Sequence, residues 1–166
     1  METIFDVPVI LRREIEALMI KPFLDAFEKE LGHEKTYEIV GNVIKKIATE
    51  QGAEYAKMLG ANDMEALHSQ EEAWTANDAL VFTNVVEGDT LYQTITRCSY
   101  CDMYERIGMK DLGYALSCIR DDYFYAGFNP DMEFSHTKTL MKGDDCCNCV
   151  FKFPPQKRLT PRVSDH

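Results

Sequence analysis

Between residues 10 and 31 the apolar positions Ile15, Leu18, Met19, Pro22, Phe23, Ala26 and Phe27 return every three or four places, with charges opposite. That period predicts a helix with one apolar stripe, stopped by Gly32 and open to a kink at Pro22. Residues 36 to 59 repeat it through Tyr37, Val40, Ile44, Ile47, Ala48 and Gln51, with Gly60 beyond Leu59 and a break at Gly52 as an option. Asn62 with Glu65 three places on reads as a capping box for a third helix from Asp63 to about Ala76, packed through Trp74.

The period then changes. Leu80 to Val86 is β-branched and aromatic, Glu87-Gly88-Asp89-Thr90 is a turn, and Leu91 to Arg97 sets Leu91, Gln93 and Ile95 against Tyr92, Thr94 and Thr96. This predicts a β-hairpin. Residues 99–107 and 110–126 return to helical spacing, the second with Leu112, Ala115, Leu116, Ile119, Tyr123 and Ala126 inward, and Asn129-Pro130 ends it. Met132 to Met141 and Cys146 to Phe153 predict a second strand pair joined at Gly143-Asp144-Asp145. The order predicts an α+β fold: N-terminal helices, then two hairpins forming an antiparallel sheet with two helices between them. One domain is expected over residues 1–155, with a solvated tail over 156–166.

Composition narrows the partners. Eighteen Lys and Arg against 28 Asp and Glu give a net charge of -10, which disfavours nucleic acid and anionic membrane. The opening residues carry no basic and apolar leader pattern, so a cytoplasmic location is expected, and a small molecule is the expected partner. The long amphipathic first helix also allows a homodimer. All six cysteines fall between Cys98 and Cys149, and in a reducing compartment they are thiols, metal ligands or small core residues rather than disulfides.

Cys118 and Asp121 stand three apart on a predicted helix with Asp122 and Tyr125 beyond, so a thiol, a carboxylate and a phenol share one flank. A carboxylate held in a partly dry pocket serves as general base or acid; an Asp near a helix end is otherwise simply solvated. Strand alternation puts Cys147 and Cys149 on the face of Phe151 and Phe153. Cys98-x-x-Cys101 lies where a strand becomes a helix, a place that lowers a thiol pKa. His136 alternates with Phe134 and Lys138 and is a candidate substrate contact, as is Tyr125. A divalent metal held by Cys98, Cys118, Cys147 and Asp121 is left open, although no second Cys-x-x-Cys supports zinc. Dinucleotide, Walker, zinc-peptidase and serine-hydrolase motifs are absent.

Thr96-Arg97-Cys98-Ser99-Tyr100-Cys101, Gly108, Leu112-Gly113, Ser117-Cys118-Ile119-Arg120-Asp121, Gly127-Phe128-Asn129-Pro130 and Gly143-Asp144 before Cys147 together resemble the L-2-amino-thiazoline-4-carboxylic acid hydrolase family. Glu14-Ile15-Glu16-Ala17 and Leu31-Gly32 extend the resemblance to the opening helices. It implies opening of a cyclic amidine, an aminothiazoline carboxylate, to a carbamoyl amino acid, which we class here as C-N bond hydrolysis in cysteine metabolism. It also implies that Cys98, Cys118, Asp121 and Cys147 form the polar pattern of the site. Two routes follow: a thiolate from Cys118 or Cys147 attacks the amidine carbon while Asp121 moves protons, or Asp121 activates water. His136 stands before Thr137-Lys138-Thr139 where members of the family tend to carry Arg, which points to altered specificity. A second reading comes from similarity to small-molecule-binding domains of the vinyl-reductase type, in which a pocket holds a ligand without hydrolysis, and a third from thiol or metal handling by the cysteine cluster.

Overall fold

The computed structural model describes residues 7–155. Helices α1 (Val9–Leu31), α2 (His33–Leu59) and α3 (Met64–Thr75) lead into a hairpin of β1 (Leu80–Glu87) and β2 (Thr90–Cys98). Then come α4 (Ser99–Arg106), α5 (Lys110–Gly113), a π-helical turn (Tyr114–Cys118) and α6 (Ile119–Phe128), followed by β3 (Glu133–His136) and β4 (Cys147–Lys152). Every strand pair is antiparallel and the order is β1-β2-β4-β3, so the two hairpins join through β2 and β4. This is the expected α+β class. The expected tail from Gln156 lies outside the described residues.

One face of the sheet carries Leu91, Cys149 and Phe151 into a core shared with Leu67 and Phe128, while Val81, Val85 and Tyr92 on the other face are exposed. Leu91, Phe128 and Phe151 are nearly inaccessible, and each such side chain stabilises the fold by about 2–3 kcal/mol. A second core forms where Leu24 of α1 and Val40 of α2 meet Met103, Tyr104, Leu116 and Met141.

α2 and α6 approach each other very closely. A β-carbon on Gly52 would lie 2.0 Å from the Phe124 carbonyl oxygen, and one on Gly127 would lie 2.1 Å from that of Thr49. The helices therefore meet as backbone against backbone. Gly52 does not break α2, as the sequence had allowed; it makes room for α6.

Several expectations need correction. α1 runs unbroken through Pro22, but its expected stripe is not its buried face. Val9, Arg13, Ala17 and Leu24 are buried, whereas Ile15, Leu18, Met19, Phe23 and Phe27 stand in solvent. Two apolar sets compete on this helix, and the core takes the one with the smaller side chains. The cap of α3 is Asp63 rather than Asn62, its carboxylate accepting from the Ala66 amide at 3.0 Å. The π turn inserts an extra residue, so the phase expected for 110–126 slips: Ala126 is exposed and Arg120 and Phe128 are buried. β3 stops at His136, because the Asn148 side chain takes the Thr137 and Lys138 amides and the chain then turns through Leu140–Lys142.

Gly52→Ala is expected to destabilise the protein by about 3 kcal/mol or more, since relief requires backbone to separate. Gly41→Ala, where no atom lies within 4 Å of the added β-carbon, is expected to stabilise by up to about 1 kcal/mol. Urea unfolding midpoints of the two variants measure the difference.

Candidate functional site

The inner face of β2 carries Leu91, Gln93 and Ile95, and strict alternation would bring Arg97 next. A bulge intervenes. Phe82 pairs with Ile95 and Val81 with Arg97, which leaves Thr96 as an extra residue and returns Cys98, opposite Leu80, to the inner face. On β4, Cys147 stands opposite Ile95, and Cys149 opposite Gln93. From the helical layer Ser117, Cys118, Asp121 and Tyr125 face the sheet at spacings of one, three and four. Between the layers is a cavity of about 110 Å³, walled at its other end by Leu67, Glu71 and Trp74 of α3. That is many times the space one water needs, and suits a small organic molecule.

Cys98 differs from the other cavity thiols. It occupies the N-cap of α4, where the neighbouring Cys101 thiol and the Cys101 and Tyr100 amides favour its anion. These donors outweigh burial and bring its pKa down to about 7, while the Cys101 thiol is correspondingly held in the protonated form. Burial, reinforced by the Asp121 charge, drives the Cys118 thiol well above its ordinary value. Burial also raises Cys147, against the opposing Leu140 amide 3.3 Å from its sulfur, and raises Cys149 strongly. Thr139 links two of these groups: its hydroxyl donates to Cys118 Sγ at 3.9 Å and accepts from the Cys147 thiol at 3.7 Å.

Asp121 is only half-buried by accessible surface, because what it exposes opens on the cavity, yet protein surrounds it on its other sides. Burial lifts its pKa to about 7; Asp122 and Cys98 add to the rise, and Arg120 and Arg13 oppose it more weakly. Both arginines are buried and engaged elsewhere, Arg120 with Gln51 and Arg13 with Glu16. Among the described residues no side chain or backbone amide donates to the Asp121 carboxylate. At the far wall Glu71 Oε1 accepts from Asn84 Nδ2 at 2.7 Å and from Gln93 Nε2 at 3.1 Å.

The cavity thus brings together Cys98, Cys118, Asp121, Tyr125 and Cys147. It does not include His136. Register puts that residue opposite Cys149, but at the sheet's outer strand, and its Nε2 turns to Asp122 Oδ1 at 3.4 Å. Phe134, Phe151 and Tyr125 pack their rings together on the same face, with centroids 4.7–4.9 Å apart. Among the described residues no three His, Cys, Asp or Glu side chains converge as ligands for one ion. Sequence reasoning passed over Glu71, Gln93 and Thr139. Glu71 and Gln93 meet only because α3 packs on the sheet, and Thr139 reaches the thiols because the Thr139 amide donates to Asp144 at 2.7 Å.

Fold and cavity together define an α+β domain with a cavity lined by thiols and carboxylates. A family model described as L-2-amino-thiazoline-4-carboxylic acid hydrolase matches residues 12–151, and the chain belongs to that family. No curated protein matches the chain.

Cys98 is expected to react with iodoacetamide fastest of the cavity thiols. Its rate should level off above about pH 7 and fall roughly tenfold per unit below, as the thiolate is lost. Cys118 and Cys149 should lag by at least tenfold at pH 7.5. Mass-spectrometric mapping of alkylated peptides over time tests the order.

Proposed function

We propose that this protein is a hydrolase that opens a cyclic amidine, with Asp121 as the general base that activates water. The observation supporting it most directly is the Asp121 carboxylate, which faces the cavity with no donor among the described residues and titrates near neutrality. A base poised near the working pH combines a usable fraction of ionised form with a real driving force for proton transfer. The family's name supports the reaction class.

In an aminothiazoline, water adds to the amidine carbon and gives one proton to Asp121, while the electron pair of the C=N bond moves to the ring nitrogen. The tetrahedral carbon then holds a hydroxyl, the amino group, the ring nitrogen and the ring sulfur. Collapse to a carbamoyl group keeps both nitrogens on that carbon: the carbon-sulfur bond breaks, the hydroxyl proton passes to the ring nitrogen as the carbonyl forms, and the proton on Asp121 passes to the departing sulfur. This balance replaces the carbon-nitrogen cleavage expected from the sequence. Of the two routes left open there, water activation is favoured, because Cys118 and Cys147 are held as thiols, and a thiol is a far weaker nucleophile than a thiolate.

Turnover of 2-aminothiazoline-4-carboxylate and a panel of cyclic amidines should fall about 10²–10⁴-fold in Asp121→Asn and far less in Cys118→Ser and Cys147→Ser. Retained turnover in folded Asp121→Asn would sink the assignment. For the wild type, kcat/KM should rise with pH through about 7 as Asp121 loses its proton; a profile that falls through that range would make Asp121 an acid instead.

Stability should move the other way. Asp121 binds its proton more tightly in the folded protein than in the unfolded chain, so the folded state gains from it below about pH 4 and loses that gain as pH rises to about 7. Asp121→Asn, which carries no charge at any pH, is therefore expected to raise the thermal midpoint by a few degrees at pH 8 and to change it little at pH 4.

A further inference from the structure

The charged side chains on the cavity wall are both acidic. Asp121 and Glu71 line it from the helical layer, and among the described residues no Lys, Arg or His does. The rest of the wall is largely aromatic and aliphatic, with Trp74, Phe82, Tyr125 and Phe151 contributing rings. Aromatic faces attract cations, and a carboxylate away from bulk water attracts them more strongly still. The same wall offers a bound carboxylate no cation and places two like charges against it. Arg13 and Arg120 influence Asp121 from behind, but neither lines the cavity.

Resting on the proposed reaction, we infer that the cavity selects a small organic cation, an amidinium without a carboxylate, rather than an anionic substrate. A protonated amidine brings a delocalised positive charge and N–H donors to Asp121, which has no donor among the described protein groups. Glu71, already accepting from Asn84 and Gln93, supplies a second negative charge at the opposite wall.

Calorimetric titration of the whole chain at pH 8 with 2-aminothiazoline, its 4-carboxylate and the uncharged isostere 2-methylthiazoline tests this. The amidinium should bind at least tenfold tighter than either other compound. Asp121→Asn and Glu71→Gln should each cost it about tenfold or more while leaving 2-methylthiazoline binding unchanged, which also reports an intact cavity. Equal or tighter binding of the carboxylate, or amidinium affinity indifferent to both substitutions, would overturn the inference. Turnover in the same samples separates the two readings. Efficient turnover with a preference for the carboxylate leaves the hydrolase standing and removes the selectivity; amidinium binding with no turnover does the reverse.

A different observation carries a second inference. Ile15, Met19, Phe23 and Phe27 follow one another at intervals of four along α1, each 49–70% exposed. Their uncovered area, on the order of 400–500 Å², is over half of the roughly 800 Å² each partner gives a standard interface. The row is symmetric about position 21. An antiparallel copy would set Ile15 against Phe27 and Met19 against Phe23. A two-fold interface needs that self-complementarity. We infer that α1 pairs with α1 of a second copy.

Sedimentation at micromolar concentration should give twice the mass of one chain, and Met19→Lys/Phe23→Lys should reduce it to one while leaving the circular dichroism unchanged. A monomeric wild type, or a dimer untouched by the double lysine variant, would overturn this inference.

Discussion

The carbonyl oxygens of Phe124 and Thr49 stand where side chains at positions 52 and 127 would begin, so α2 and α6 can approach as they do only as bare backbone. Much follows from that approach. Asp121 and Tyr125 sit on α6 within two turns of Gly127, and the distance from α6 to the sheet decides whether they wall a cavity or fill it. Phe124, between them, packs near Trp74, Tyr55 and Phe128. A displaced α6 would disturb those ring contacts and the surroundings of Asp121. The dryness that tunes the carboxylate thus originates in two residues with no side chain.

Within the cavity, closely spaced thiols take different protonation states from local donors rather than from depth alone. Cys98 is well buried, yet a helix start and the Cys101 thiol stabilise its anion; Cys118, at a comparable depth, has the Thr139 hydroxyl as donor, which does not offset burial, and stays neutral. Asp121 lies between these cases. It lacks Cys98's donors, has a charged neighbour in Asp122, and feels two arginines only at a distance. Water activation therefore falls to the carboxylate, while Cys98 is the thiol with nucleophilic character.

What the sequence made legible was local. Cys118, Asp121 and Tyr125 are one helix flank, and a spacing of three or four residues is enough to group them. Cys147 and Cys149 follow from alternation with Phe151. The order of helices and hairpins was also readable, since each has its own period. Features set by distant pairing were not. The π turn before Cys118 has no periodic signature, and His136 looks like an inward strand residue until Asn148, from the facing strand, ends β3 by taking the Thr137 and Lys138 amides. Glu71 meets Gln93 across the gap from helix to sheet. On α1 the hydrophobic stripe was plain in the sequence, but nothing in that pattern says which of two apolar faces the core will take.

The bulge at Thr96 makes the character of the cavity depend on pairing as well as on residue identity. With Thr96 set aside as the extra residue, the position opposite Leu80 holds a thiol and Arg97 points to solvent. Were the same residues paired without a bulge, regular alternation would carry the guanidinium to the inner face, across from the carboxylates. The charge of the wall is therefore fixed by where the strand absorbs one surplus residue. Diversification of such a site can proceed through the placement of a bulge, a route that residue-by-residue comparison of the wall would miss.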